Sequence, residues 1–140
     1  MADQATLHLK MASPSEVLFE MDVVAVVAPT INGDIKILPR HTPVVSVLKA
    51  GALVVTTKEG EQKPYFVAGG FVEVANNQVI VLADEAEHVH DLDQAEVEEA
   101  VRQAEELLAD KNFEAREYEV LQANLQKERA RVSTFTKWRK

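Results

Sequence analysis

Cysteine is absent from the 140 residues. That removes disulfides, Cys-ligated zinc, iron–sulfur clusters and thiol nucleophiles together. Long apolar runs are absent too. The longest, residues 23–28, is six residues, against the roughly 20 that a membrane-spanning helix needs. The N-terminus lacks an apolar signal core and an Arg/Ser-rich transit pattern, so neither export nor organelle import is expected. Positive charge is scarce. With 15 Lys/Arg against 23 Asp/Glu the net charge is −8, which argues against binding a nucleic-acid backbone. Neither βαβ spacing nor a Walker loop is present, which argues against a Rossmann-type or P-loop nucleotide site. No serine sits in a nucleophile elbow, so catalysis by this chain alone is not expected.

What is there divides in two near residue 85. All five glycines (Gly33, Gly51, Gly60, Gly69, Gly70) and all five prolines (Pro14, Pro29, Pro39, Pro43, Pro64) precede it, and none follows. Turn-rich then turn-free sequence reads as strands then helices, an α+β chain. In the first part Leu7, Leu9 and Met11 alternate with His8 and Lys10. Residues 23–28 are β-branched and end at Pro29. Residues 53–57 and 65–68 flank Lys58-Glu59-Gly60-Glu61, a hairpin with a four-residue loop. Phe71, Val72 and Val74 follow Gly69-Gly70, and Asn76-Asn77-Gln78 turns the chain into residues 79–82. Strands so short and evenly spaced predict an antiparallel β-sandwich or barrel. The expected division is residues 1–86 for this domain and 87–140 for a helical hairpin.

In the hairpin, Asp93 followed by Glu96, or Asp91 followed by Gln94, offers a capping box. Val97, Val101, Ala104 and Leu108 form one apolar seam. Tyr118, Leu121, Leu125, Val132 and Phe135 form another, with Glu128 at the skipped position. The charges are lopsided: residues 85–110 carry ten acids and one base, Arg102, whereas residues 111–140 carry eight bases and four acids. Side-by-side packing brings opposite signs together, each exposed pair contributing roughly 0.2–1 kcal/mol. Two helices with narrow seams are marginal alone, so the hairpin is expected to be able to detach.

Four groups of residues are candidates for chemistry. His88 and His90, with Glu85, Glu87 and Asp91 nearby, have a metal-site composition but lack a distant third ligand, and an exposed polar linker is the favoured reading. The basic run Lys127, Arg129, Arg131, Lys137, Arg139 and Lys140, with Trp138 inside it, is either a solvated helix end or a dock for an acidic partner. The segment Gly33-Asp34-Ile35-Lys36-Ile37-Leu38-Pro39-Arg40-His41-Thr42-Pro43 reads as a rigid loop presenting Asp34, Lys36, Arg40 and His41 from a β scaffold. The blander alternative is a proline-shaped turn with a packed His41. Leu92-Asp93-Gln94-Ala95-Glu96-Val97 opens the helices.

The segment from Gly33 through Pro43 to Gly51 resembles the pattern G-E-x-G-I-L-P-G-H-x-P-x-x-x-x-L-x-x-G of the epsilon subunit of F-type ATP synthases. Phe66-Val67-Ala68-Gly69-Gly70-Phe71-Val72-Glu73-Val74 is similar to the family's second motif, and Val79-Ile80-Val81-Leu82-Ala83-Asp84 to its last strand. The resemblance implies a sandwich of about ten strands plus a C-terminal helical hairpin, in a non-catalytic rotor subunit. It implies partners as well: the gamma subunit, the membrane c-ring and the catalytic beta subunit, with no cofactor and no metal. Carried over, Asp34, Lys36, Arg40 and His41 face the ring loops, with Asp34 the candidate partner of a ring arginine. Lys127, Arg129, Arg131, Lys137 and Arg139 face an acidic segment of the catalytic head, where an extended hairpin blocks hydrolysis. The implied location is peripheral, on the cytoplasmic face of a bacterial inner membrane.

The sequence departs from the family's patterns at four positions. Lys36 and Arg40 stand where the family often has glycine. Some members bind ATP through [IL]-D-x-x-R-A; here Leu92 and Asp93 match, but Glu96 replaces the arginine and Val97 the alanine. A carboxylate facing a polyphosphate is repulsive, so ATP binding is expected to be weak or absent. Two other readings remain on the residues alone: a stand-alone ATP sensor, and a sandwich enzyme using His41 and Asp34.

Overall fold

The computed structural model describes residues 5–109 and 115–138. Nine strands and two α-helices follow one another along the described chain: β1 (Leu7–Ala12), β2 (Val17–Thr30), β3 (Gly33–Ile37), β4 (Val44–Val47), β5 (Gly51–Thr57), β6 (Gln62–Ala68), β7 (Phe71–Ala75), β8 (Gln78–Leu82), β9 (Glu85–His88), a 3₁₀ turn (Val89–Asp91), α1 (Gln94–Ala109) and α2 (Ala115–Trp138). The chain divides into two compact units between His88 and Val89.

Hydrogen bonds link the strands in the order β4-β7-β8-β1-β2-β5-β6-β9, with β3 on the free side of β2. All pairs are antiparallel except β1 with β8. The 14-residue β2 is what makes two layers from one path. Its first half pairs with β1 up to Val23, and its second half pairs with β3 and β5 from there on. A register irregularity between Val23 and Ala25 marks the change of layer; bulged strands of this kind turn sandwich corners.

Between the layers, alternate side chains form one apolar core: Leu7, Leu9 and Met11 from β1, Val23 and Val26 from β2, Leu53 and Val55 from β5, Val72 and Val74 from β7, Val79 and Val81 from β8. The period-two alternation seen at residues 7–11 therefore places these residues inward and His8 and Lys10 outward. The four-residue loop 58–61 and the Asn76-Asn77 turn both form as the spacing predicts. Gly69 and Gly70 carry the chain from β6 to β7 with φ of 72° and 94°. A Cβ on Gly70 would overlap the Leu82 carbonyl oxygen, and the Gly70 carbonyl accepts the Leu48 N–H at 2.9 Å. Only glycine fits both demands.

Two expectations change. Residues 33–37 are a strand, not a loop, because Ile35 and Ile37 alternate with Asp34 and Lys36 and the run pairs with residues 26–30. Residues 85–88, expected as linker, add a strand to β6, with Tyr65 opposite His88.

In the helical unit Asp93 caps α1, its Oδ1 accepting the N–H groups of Ala95 at 2.8 Å and Glu96 at 3.4 Å. Val97, Ala104 and Leu125 are buried. Val101, Leu108, Leu121, Val132 and Phe135 are half-buried, and Tyr118, expected in the seam, is exposed. The break expected at Asp110-Lys111-Asn112 lies outside the described residues.

Candidate interaction surfaces

β3 turns Asp34 and Lys36 outward together, two residues apart, while Ile37 is fully buried. Beyond β3, Leu38-Pro39-Arg40-His41 forms a type II turn. Pro39 holds its second position, Arg40 its third with φ 68°, and the His41 N–H donates to the Leu38 carbonyl at 3.1 Å. That third position favours glycine, and a bulky residue there costs about 1–2 kcal/mol.

Asn77 supplies a compensating contact. Its Oδ1 accepts the Arg40 N–H at 2.8 Å, its Nδ2 donates to the Thr6 carbonyl at 2.8 Å, and its own carbonyl accepts the His8 N–H at 3.1 Å. Asn76 and Asn77, at φ 52° and 60°, make the two-residue turn whose twist suits a hairpin. The sequence marks Asn76-Asn77 as a turn, but nothing in it marks Asn77 as the residue that fastens the charged loop. Arg40 is exposed and His41 half-buried, and His41 Nδ1 donates to the Thr42 carbonyl at 2.6 Å.

A second surface goes beyond the expected sites. On the outer face of β4-β7-β8-β1-β2 the register sets Val45 beside Glu73, Ile80, Lys10 and Glu20 in one row, and Val47 beside Phe71, Leu82 and Ala12 in the next. Val45 is 67 % and Val47 51 % exposed, and Phe71 and Ile80 are also open to solvent. The only sequence sign of it is that the Val44-Val45-Ser46-Val47 run offers valine to both faces of β4. Contiguous exposed apolar side chains mark interaction sites. Where the row passes onto β1 and β2 it turns polar: His8 lies between Asp22 (Nδ1–Oδ1 3.0 Å) and Glu20 (Nε2–Oε1 3.4 Å). Hydrogen bonding to Asp22, and less to Glu20, raises the imidazole pKa above its usual 6.5.

The two histidines with a metal-site composition fall on different elements. His88 ends β9 with the Tyr65 ring edge-on at 4.9 Å, and His90 falls in the 3₁₀ turn. Among the described residues no three His, Asp or Glu side chains converge on a metal-sized site.

On α1, Arg102 pairs with Glu99 and Glu106, and hydrogen bonding to Arg102 lowers the Glu99 pKa. The basic run on α2 meets acids. Arg129 Nη2 lies 3.5 Å from Glu105, and Arg131 Nη2 4.0 Å from Glu96. Arg131 Nη1 lies 3.3 Å and Lys127 Nζ 3.7 Å from Glu128. Glu128, the skipped seam position, is only 8 % exposed. Lys137 Nζ sits 5.6 Å from the Trp138 ring centre. Arg139 and Lys140 lie outside the described residues. Asp93, which matches the nucleotide-binding pattern, spends its carboxylate on the helix cap, and Glu96 faces Arg131.

The described chain is thus a sandwich with charged and apolar outer faces, followed in sequence by a helical hairpin. The beta-sandwich domain of the ATP synthase delta/epsilon chain matches residues 6–89. The chain is 37% identical over 136 residues to the ATP synthase epsilon chain of Alkalilimnicola ehrlichii, covering 97% of this chain and 96% of that one. It is 38% identical over 136 residues to that of Thioalkalivibrio sulfidiphilus, covering 96% of each. A chain in the cryo-EM structure of the Euglena gracilis mitochondrial ATP synthase (OSCP, F1 and c-ring) has the same fold, with a TM-score of 0.79 at 20% identity, over 93% of this chain and 81% of that one. This chain belongs to the ATP synthase epsilon-chain family, non-catalytic stalk subunits of that enzyme.

Proposed function

We propose that the chain couples ring rotation to ATP synthesis through its sandwich and restrains ATP hydrolysis through its helices. The observation that carries the reading is the pair of outward surfaces on one rigid sandwich. The strand-and-turn segment bearing Asp34, Lys36, Arg40 and His41 is braced by Asn77, which suits it to a polar loop of the c-ring. The apolar rows of Val45, Val47, Phe71 and Ile80 suit a long-lived contact with the gamma subunit, since apolar burial is what stabilises permanent interfaces. The cations Lys127, Arg129, Arg131 and Lys137 suit an acidic segment of the catalytic beta subunit. The subunit then sits on the cytoplasmic face of a bacterial inner membrane, held there through the complex. No helix among the described residues is long and apolar enough to cross a membrane.

The test is ATP hydrolysis by a catalytic head freed of its epsilon subunit, with the full chain or a chain ending at residue 90 added back. Inhibition by the full chain alone supports both parts of the proposal. Equal binding by both without inhibition keeps the rotor role and removes the brake. No binding by either overturns the partner assignment. Titration of the full chain with ATP should give no submillimolar dissociation constant, because Glu96 puts a negative charge where phosphate needs a positive one.

A further inference from the structure

Two cations of α2 are already engaged within the helical unit by acids of α1. Arg129 meets Glu105 and Arg131 meets Glu96, both across the hairpin. The only base in the α1 sequence, Arg102, is neutralised along its own helix by Glu99 and Glu106, so it offsets little of the acidity that α1 offers to α2. Arg131 is 14 % exposed at its side chain and is further tied to Glu128.

We propose that α1 is an internal stand-in for the acidic partner of α2. In the closed hairpin, Glu96 and Glu105 hold the guanidinium groups that an acidic surface on the catalytic head would otherwise take. The inference rests on the proposed function, in which those cations bind the head. Its physical content is an exchange. When the hairpin opens, each Arg–carboxylate pair broken with α1 is replaced by a pair formed with the partner, so neither state strands an unpaired charge. The Glu128–Arg131 pair is three residues apart on α2 and travels with that helix, so the buried acid of the seam keeps a partner in both states. Binding strength at the head is then set by the difference between two similar sets of ion pairs, and α1's acids tune it.

The experiment is inhibition of ATP hydrolysis by a catalytic head purified without this subunit, titrated with full-length variants at low and high salt. Glu105→Gln, mid-helix and exposed, and the double variant Glu96→Gln/Glu105→Gln release the α2 cations. They should inhibit at lower concentration, by roughly two- to thirtyfold for the double variant at low salt, with the gain shrinking as salt rises. Glu106→Gln removes the same charge from the same helix, but from a residue paired with Arg102, and should change inhibition little. Arg129→Gln should weaken it. Circular dichroism checks that the helices persist.

If the Glu105 and Glu96 variants match the wild type while Arg129→Gln still weakens inhibition, the stand-in role is wrong and the head-binding reading survives. If Glu106→Gln improves inhibition as much as Glu105→Gln, net charge rather than pairing governs and the proposal fails. If the wild-type chain and Arg129→Gln both leave hydrolysis untouched, the head-binding reading falls and takes the inference with it.

Discussion

Replacing Asn77 by glycine removes a brace without disturbing the turn that contains it. Glycine adopts φ near 60° freely, so the β7–β8 hairpin geometry survives. What disappears is the Oδ1 acceptor for the Arg40 N–H and the Nδ2 donor to the Thr6 carbonyl. Both bonds are solvent-exposed, so each contributes about 0.5–1 kcal/mol, the lower part of the usual range. Glycine adds about 0.5–1 kcal/mol through the greater freedom of the unfolded chain. The expected loss is therefore about 1.5–3 kcal/mol. At about 4–8 °C per kcal/mol for a domain of this size, the sandwich should melt roughly 6–24 °C lower. Asn77→Ala should be worse still, since alanine also resists a positive φ. Arg40→Gly separates the bond from the backbone strain. Glycine at position 40 relieves the penalty at φ 68° but keeps the N–H that Asn77 accepts, so Asn77→Gly should cost about as much in that background as in the wild type. Thermal and urea unfolding of the four chains measure it. An Asn77→Gly variant within about 0.5 kcal/mol of wild type refutes the claim that Asn77 holds the charged turn in place.

Three further outcomes are expected. Glu128→Gln takes a carboxylate partner from Arg131 inside the seam and should destabilise the hairpin by about 1–3 kcal/mol, whereas Glu128→Leu with Arg131→Leu should recover most of it, read by amide exchange of α1 and α2. His8 should titrate above 6.5 by NMR, and Asp22→Asn should bring it down. Because the folded pKa is the higher one, its stabilisation is complete below the unfolded value near 6.5 and is lost as pH rises through the folded value; His8→Gln should therefore destabilise the chain more in mild acid than in mild alkali. Gly70→Ala forces a methyl group onto the Leu82 carbonyl at a φ of 94° and should cost at least about 3 kcal/mol, seen as loss of the cooperative melt; a near-neutral variant would contradict the packing at that turn.

Local periodicity determined much of this protein. Alternation at residues 7–11 names the inward face of β1 because a strand's side chains repeat every two residues. Asp93 announces the start of α1 because a short acceptor just before a helical run satisfies the free N–H groups of the first turn. The concentration of glycine and proline before residue 85 separates strands from helices, since both residues are poor in helix interiors. The charged segment 33–43 was legible as a candidate site from its composition and resemblance, although its first half proved to be a strand. Long-range pairing was not legible. That β2 serves two layers depends on where β1 and β5 meet it, and that Val45 shares a row with Ile80, and Val47 one with Phe71, depends on register across three strands. Asn77 reaches Arg40, 37 residues away in sequence, only because the β3–β4 turn and the β7–β8 turn arrive at the same end of the sandwich. The pairing of Arg129 and Arg131 with Glu105 and Glu96 needs the two helices side by side. Periodicity reports which face a residue takes on its own element; which residue stands opposite is decided by the packing of elements distant in sequence, and only the tertiary structure contains that.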